Sequence, residues 1–163
     1  MVLQGRSRIA GLAGVVVVAV LAGLTGWLGL RDHRARADEH LRTEMVQVAR
    51  QGVVNLTTID HQRVEQDVQR ILDSSTGAFH DDFAGRAEPF IDAAKKAQST
   101  SVGTVTEAGL ESLSGDEGRV LVALTVMTSN RGVPEQQPKL WRVRVTVTKT
   151  GDGIKVAQVE FVP

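Results

Sequence analysis

The chain has 163 residues, with 19 basic and 19 acidic side chains, four histidines and no cysteine. The cancelled charge removes the basic footprint of a nucleic-acid binder, and the missing cysteines remove disulfides, thiol nucleophiles and thiolate metal sites. Two Trp, four Phe and no Tyr are few for a surface that reads bases or sugars by stacking.

The first element is IAGLAGVVVVAVLAGLTGWLGL, from Ile9 to Leu30, 22 residues without a charge. As a helix it would be about 33 Å long, close to the roughly 30 Å hydrocarbon layer of a membrane. Trp27 lies near one end, where an indole prefers the interface. Ala35-Arg36-Ala37 has the small-x-small form of a signal-peptidase site. However, the apolar run exceeds the roughly 7–15 residues of a signal peptide, and arginines crowd that site. An uncleaved anchor at residues 9–30, after a short tail at 1–8, is the expectation. Within it Ala19, Gly23 and Gly26 share one stripe, and Ala22, Gly26 and Gly29 a neighbouring one. Small-residue stripes let membrane helices approach closely, although glycine is also simply common there. Arginines flank both ends, so charge alone leaves the orientation open.

Residues 31–57 read as a charged stalk helix, with Leu41, Met45, Val48, Ala49, Val53 and Leu56 along one face and Gly52 weakening it. A helix is then expected to start at Asp60 as its cap, with Ile59 and Val64 as a hydrophobic staple and Val64, Val68, Ile71 and Leu72 as its apolar face. It should end in Asp73-Ser74-Ser75-Thr76-Gly77. A third helix places Phe79, Phe83, Ala87, Phe90, Ile91 and Ala94 on one stripe, with a kink or restart near Pro89.

From Ser101 the period changes to two. Val102–Leu110, Arg119–Thr128, Leu140–Thr148 and Ile154–Phe161 read as strands separated by Ser114-Gly115-Asp116, Asn130-Arg131-Gly132 and Gly151-Asp152-Gly153. In the third, Trp141, Val143, Val145 and Val147 face one way, and Arg142, Arg144, Thr146 and Thr148 the other. A bulge is expected near Ala157-Gln158. Residues 58–163 should therefore form an α+β domain, its helices packed on one face of a four-stranded antiparallel meander.

Candidate chemistry is sparse. His61 and Asp67 are the polar residues that would line a cone between helices and sheet, as an acid–base pair. The simpler reading makes them a boundary histidine and a solvated acid beside a helix cap. His80-Asp81-Asp82 point about 100° apart in a helix and do not converge on a metal. His33 and His40 lack a third ligand at useful spacing. Asn55-Leu56-Thr57 matches a glycosylation acceptor, a short pattern that often occurs by accident. Arg142 and Arg144 either meet a partner or lipid headgroups, or simply sit on a wet sheet face. Nucleotide-binding, P-loop, nucleophile-elbow and zincin motifs are missing. No enzyme activity, cofactor or metal is expected.

One resemblance rests on the charged stalk, VVNLTTID, DVQRILDSSTGAFHDDF, AGLESLSGDEGRVLVAL and the terminal KVAQVEFVP. Together with the single span these resemble the Mce-associated membrane proteins of mycobacteria and related actinobacteria, over nearly the whole chain from residue 9. The resemblance implies a cystatin-like/NTF2-like domain, also seen in VirB8-type secretion components. It implies a cytoplasmic N-terminus and an extracytoplasmic C-terminal domain in the cell membrane. It also implies a non-catalytic accessory role in a lipid-import complex, with the permease, the Mce proteins or related accessory proteins as partners and lipid contact within reach. A VirB8-like subunit of another envelope machine, and a membrane-tethered lipid binder or enzyme, are the alternatives.

Overall fold

A computed structural model describes residues 38–133 and 138–162. The expected span, with Ala19, Ala22, Gly23, Gly26 and Gly29, lies outside the described residues, as does His33. Among the described residues no helix is long and apolar enough to cross a membrane. The chain divides into residues 1–41 and a compact unit, Arg42–Pro163, whose architecture follows.

Helix α1 is described over residues 38–57. It leads into strand β1 (Ile59–Asp60), then helices α2 (Val64–Asp73), α3 (Gly77–Ala84) and α4 (Ala87–Ala97). Strands β2 (Thr100–Ser114), β3 (Glu117–Ser129), β4 (Lys139–Thr150) and β5 (Gly153–Phe161) complete the domain. The sheet has five strands in the order β1-β2-β3-β4-β5, each pair antiparallel. The meander is the one the alternation implies, and the count of four is corrected to five. The added strand pairs Ile59 with Ser101 and Asp60 with Thr100. Two residues are too short to show a period, so the segment reads as a helix entry. Helix α2 accordingly begins at Val64 with Arg63 as N-cap, not at Asp60.

The expected bulge is present. Between Thr146 and Val147 the register passes from Gln158 to Val156, leaving Ala157 unpaired. Two further irregularities interrupt β2, at Thr106 and Glu111. Pro89 acts as a restart: α3 ends at Ala84, and α4 carries Pro89 in its first turn, where a missing N–H costs nothing.

The core lies on one face of the sheet. Val120, Val122, Leu124 and Val126 of β3 and Val143, Val145 and Val147 of β4 are buried there. Met45, Ala49 and Val53, spaced i, i+4, i+8 on α1, cover them and are fully or nearly fully buried. From Arg42 onward, then, the helix read as a stalk supplies part of the core. A second cluster joins Ile59, Val64, Val68, Ile71 and Ala94, with Leu56, Leu72, Phe79, Phe83 and Ile91 packed against it. Phe83 bridges its helices, 6.2 Å from the Phe79 ring and 6.0 Å from Phe90. The staple pair Ile59 and Val64 thus shares a core although the cap between them is not formed.

Helix α1 approaches the sheet through glycines. A Cβ on Gly52 would lie 2.5 Å from Val156 Cγ2, and one on Gly118 would lie 2.5 Å from Met45 Sδ. One on Gly103 would overlap Thr57 Oγ1 and lie 2.7 Å from Thr57 Cβ. Gly52 costs α1 helix propensity of about 1 kcal/mol, and its position against Val156 gives the reason it is tolerated. Gly103→Ala is expected to lower unfolding free energy by roughly 1–3 kcal/mol, the range for overpacking a filled core. Gly109→Ala, in the same strand but with nothing within 4 Å of the added carbon, should change it by less than about 0.5 kcal/mol. Thermal and urea unfolding of the two variants compares them directly.

Candidate functional site

Three places hold the candidate residues. The first is where α1, β1 and α2 meet. Asp67 is buried, and both of its oxygens are engaged. Oδ2 accepts the Asp60 backbone N–H at 2.8 Å, and Oδ1 takes the Arg70 guanidinium at 2.9 Å. Arg70 also donates to the Thr58 carbonyl at 3.4 Å. One carboxylate therefore ties the start of α2 to β1 and to the end of α1. Asp60 makes an Asx turn, its Oδ1 accepting the Gln62 N–H at 3.0 Å. His61 is half-buried, with Nδ1 3.3 Å from Thr100 Oγ1 and 3.6 Å from Asp60 Oδ1. Both oxygens of the buried carboxylate thus make contacts within the fold.

The second place is the exposed sheet face. Arg144 reaches across β3 and forms a fork with Glu111, Nε to Oε2 at 2.7 Å and Nη2 to Oε1 at 2.9 Å. Its Nη1 lies 3.9 Å from Glu160. Glu111 is the unpaired residue of the second β2 irregularity, which turns its carboxylate toward the arginine. The hydrogen bonds from Arg144 hold the Glu111 carboxyl below its usual range, and the same bonds raise the guanidinium. Arg142, two residues away, is exposed. Beyond it on the same sheet face, Val102, Met127 and Leu140 stand in water, Leu140 with 83% of its surface exposed.

The third place is a cavity of about 600 Å³ between α4 and the inner sheet face, where β3 ends and β4 begins. Phe90, Ala93 and Ala97 wall one side, and Val126, Trp141 and Phe161 the other. Trp141 and Phe161 meet edge to face at 5.3 Å. Neither His61 nor Asp67 lines it. The alternation placed Trp141 on the inner face; that Phe161 and Asn130 join it there depended on strand register, which a single sequence does not display.

Two further described histidines and the sequon have plain structural settings. His80 Nδ1 lies 3.1 Å from Asp81, Asp82 pairs with Arg86 at 3.9 Å, and His40 is exposed on α1. Among the described residues no three His, Asp or Glu side chains gather as a metal site. Asn55 is buried in α1, where its Oδ1 accepts from Gln51, so this acceptor is withheld from glycosylation in the folded domain.

These features define an α+β domain in which helices cover one face of an antiparallel meander, with Asp67 and Arg144 held in ion pairs. Residues 6–163 match the family described as uncharacterized protein Rv1363c/MT1408-like, and the chain belongs to that family. It is 37% identical over 157 residues to the uncharacterized protein Rv1363c of Mycobacterium tuberculosis, which covers 96% of this chain and 60% of that relative's length. Among solved structures it is similar to an IcmL-like type IV secretion system protein of Legionella pneumophila, with TM-score 0.61 and 16% identity over 75% of this chain and 92% of that one. The periplasmic domain of DotI is similar at TM-score 0.56 and 17% identity, covering 72% and 92%. CagV of Helicobacter pylori, a VirB8 homolog, is similar at TM-score 0.55 and 9% identity, covering 74% and 97%. At these identities the likeness is one of fold, and the fold is VirB8-like.

Two outcomes follow from the polar contacts. Asp67→Ala should lower unfolding free energy by roughly 1–3 kcal/mol, because a backbone amide loses its partner; Asp67→Asn, which keeps one acceptor oxygen, should lose less, as read by urea unfolding. Glu111 should titrate by NMR below an ordinary glutamate, and Arg144→Gln should bring it back up. Because its folded-state pKa is lowered, Glu111 adds stability above the unfolded-state value and loses it as pH falls through the folded one. Its exposure keeps that contribution small.

Proposed function

We propose that the protein is a non-catalytic, membrane-anchored accessory subunit that stabilises or assembles a lipid-import complex of the Mce type. Residues 9–30 anchor it, the N-terminus is cytoplasmic, and the VirB8-like domain stands outside the membrane. The observation that carries the reading is the fold, shared with an IcmL-like secretion protein, the DotI periplasmic domain and CagV. The polar residues support it, since Asp67 is consumed in holding α2 to β1. The Mce assignment itself rests on the sequence resemblance from residue 9 onward. The exposed Val102, Met127 and Leu140 beside Arg142 are the surface this reading gives to partner subunits.

A second reading draws on the same structural neighbours: an assembly subunit of another envelope machine, related in architecture to type IV secretion. Purification of the tagged full-length chain in mild detergent, after chemical cross-linking, separates the two. The proposal expects Mce permease and Mce proteins among the recovered partners, with cross-links at Lys139 beside Leu140. Recovery of a different envelope complex, without any Mce subunit, would replace it with the second reading.

A further inference from the structure

The sheet has an open edge beside a largely apolar groove. Strand β5 ends the sheet and pairs with β4. The Val162 N–H donates to the Arg142 carbonyl at 2.9 Å, so Gln158, Glu160 and Val162 direct their backbone groups at β4. Alternation then turns those of Val159 and Phe161 outward. Among the described residues no backbone group pairs with them on that side. Further back the edge is already occupied. The Val156 N–H donates to the Ser74 carbonyl at 3.0 Å, and the Thr76 N–H to the Val156 carbonyl at 2.8 Å. This short parallel pairing stops where Gly77, at φ 60°, turns the chain into α3. The opposite edge differs. There β1 covers Thr100 and Ser101, and the irregularities at Thr106 and Glu111 break up the rest of β2. Alongside the open stretch of β5 lies a groove of about 640 Å³. Phe79, Phe83 and Phe90 form its helical wall with Ala78, and Ala157, Gln158 and Val159 form its strand wall. Asp82 and Arg86, 3.9 Å apart and exposed, complete the lining.

We infer that this edge binds an extended segment of a partner protein as a sixth strand, with apolar side chains at alternate positions and basic ones between them. The backbone requirement comes first. Val159 and Phe161 present N–H and C=O groups in a row at the strand repeat, and the ligand that matches such a row is another extended backbone. The side chains follow from the pleat. Val159 and Phe161 lie opposite Val145 and Val143 on the inner face, so the inward positions of the added strand fall on the side of Phe79 and Phe83 and are apolar. Its outward positions fall beside Gln158 and Glu160. Glu160 is exposed. It accepts from Gln158 Nε2 at 2.9 Å, and Arg144 stays 3.9 Å away because Glu111 takes its fork. Asp81 and Asp82 add two exposed carboxylates on the helical side. Opposite charges across a strand pair are stabilising, which selects lysine or arginine at the outward positions. The inference is independent of the Mce assignment and of the sheet-face patch described above.

The probe is a short acetylated peptide of valine alternating with lysine, labelled with fluorescein. It is titrated by fluorescence anisotropy onto the full-length protein in phosphatidylcholine nanodiscs, with empty discs as the blank. Saturable binding is expected. Two N-methylated forms, one with the methyls on the valine amides and one with them on the lysine amides, each block one edge of the peptide. One form should bind roughly tenfold more weakly and the other should keep its affinity. Val159→Pro deletes an outward N–H and leaves the β4 ladder intact, and it should weaken binding by roughly tenfold. Ala78→Trp, at an exposed position of the groove, should do the same, with the circular dichroism spectrum kept in both variants. Exchange of the lysines for glutamates should weaken binding roughly three- to tenfold. Equal binding of the two methylated forms would overturn the inference, and so would the absence of saturable binding. Binding that survives both variants would overturn it too, because it marks adhesion elsewhere. A protein that takes no peptide but pairs with itself, and loses that pairing in Val159→Pro, would assign the edge to a second copy instead.

Discussion

The structure depends on how closely α1 lies against the sheet. Two of the three contacts that set this distance are formed by Gly103 and Gly118 on the strands, each facing a larger side chain on the helix, Thr57 or Met45. In the third the order is reversed, with Gly52 on the helix facing Val156 on β5. This arrangement lets Met45, Ala49 and Val53 reach the valines of β3 and β4. It also fixes where the helix ends, and so where β1, Asp67 and the second cluster can form. A wider separation would leave the short valine side chains without partners, and interiors pack too tightly to leave such gaps open.

From that contact the rest is built outward. The end of α1 passes directly into a two-residue strand, and Asp67 binds the strand's amide while Arg70 binds the carbonyl before it. Helices α2, α3 and α4 then fold around Ile59 and the phenylalanines. Helix α4 stands away from the far end of the sheet, and the cavity is the space left between them. In this domain the buried acid supports the architecture, and the open volume is lined by apolar and uncharged polar residues. Val102, Met127 and Leu140 are exposed on the outer sheet face, and the cavity under α4 has no charged residue in its lining.

Much of this was legible in the order of residues. Alternation in Trp141, Val143, Val145 and Val147 located β4 and its buried side. The break in phase between Val156 and Val159 located the bulge, and Pro89 located the helix restart. Local signals of this kind survive because they are written within a few residues. What was not legible depends on distant residues. Strand β1 is defined by pairing with Thr100 and Ser101, forty positions on. Exposed Arg42 and Glu44 beside Met45 gave α1 the character of a stalk, and only the glycines of β2 and β3 explain why a narrow stripe of Met45, Ala49 and Val53 is enough to bury it. Asp67 read as a solvated acid because its partner amide lies on another element. The cavity likewise joins Asn130, Trp141 and Phe161 through strand register alone.

The central claim is that the protein acts by holding other subunits together rather than by catalysis. Its most direct test is a clean deletion followed by quantitative proteomics of the membrane and a labelled-lipid uptake assay. The account predicts that Mce permease and Mce protein levels fall, that uptake falls with them, and that Asp67→Asn, if it accumulates normally, restores both. Unchanged transporter levels and normal uptake in the deletion strain would contradict it.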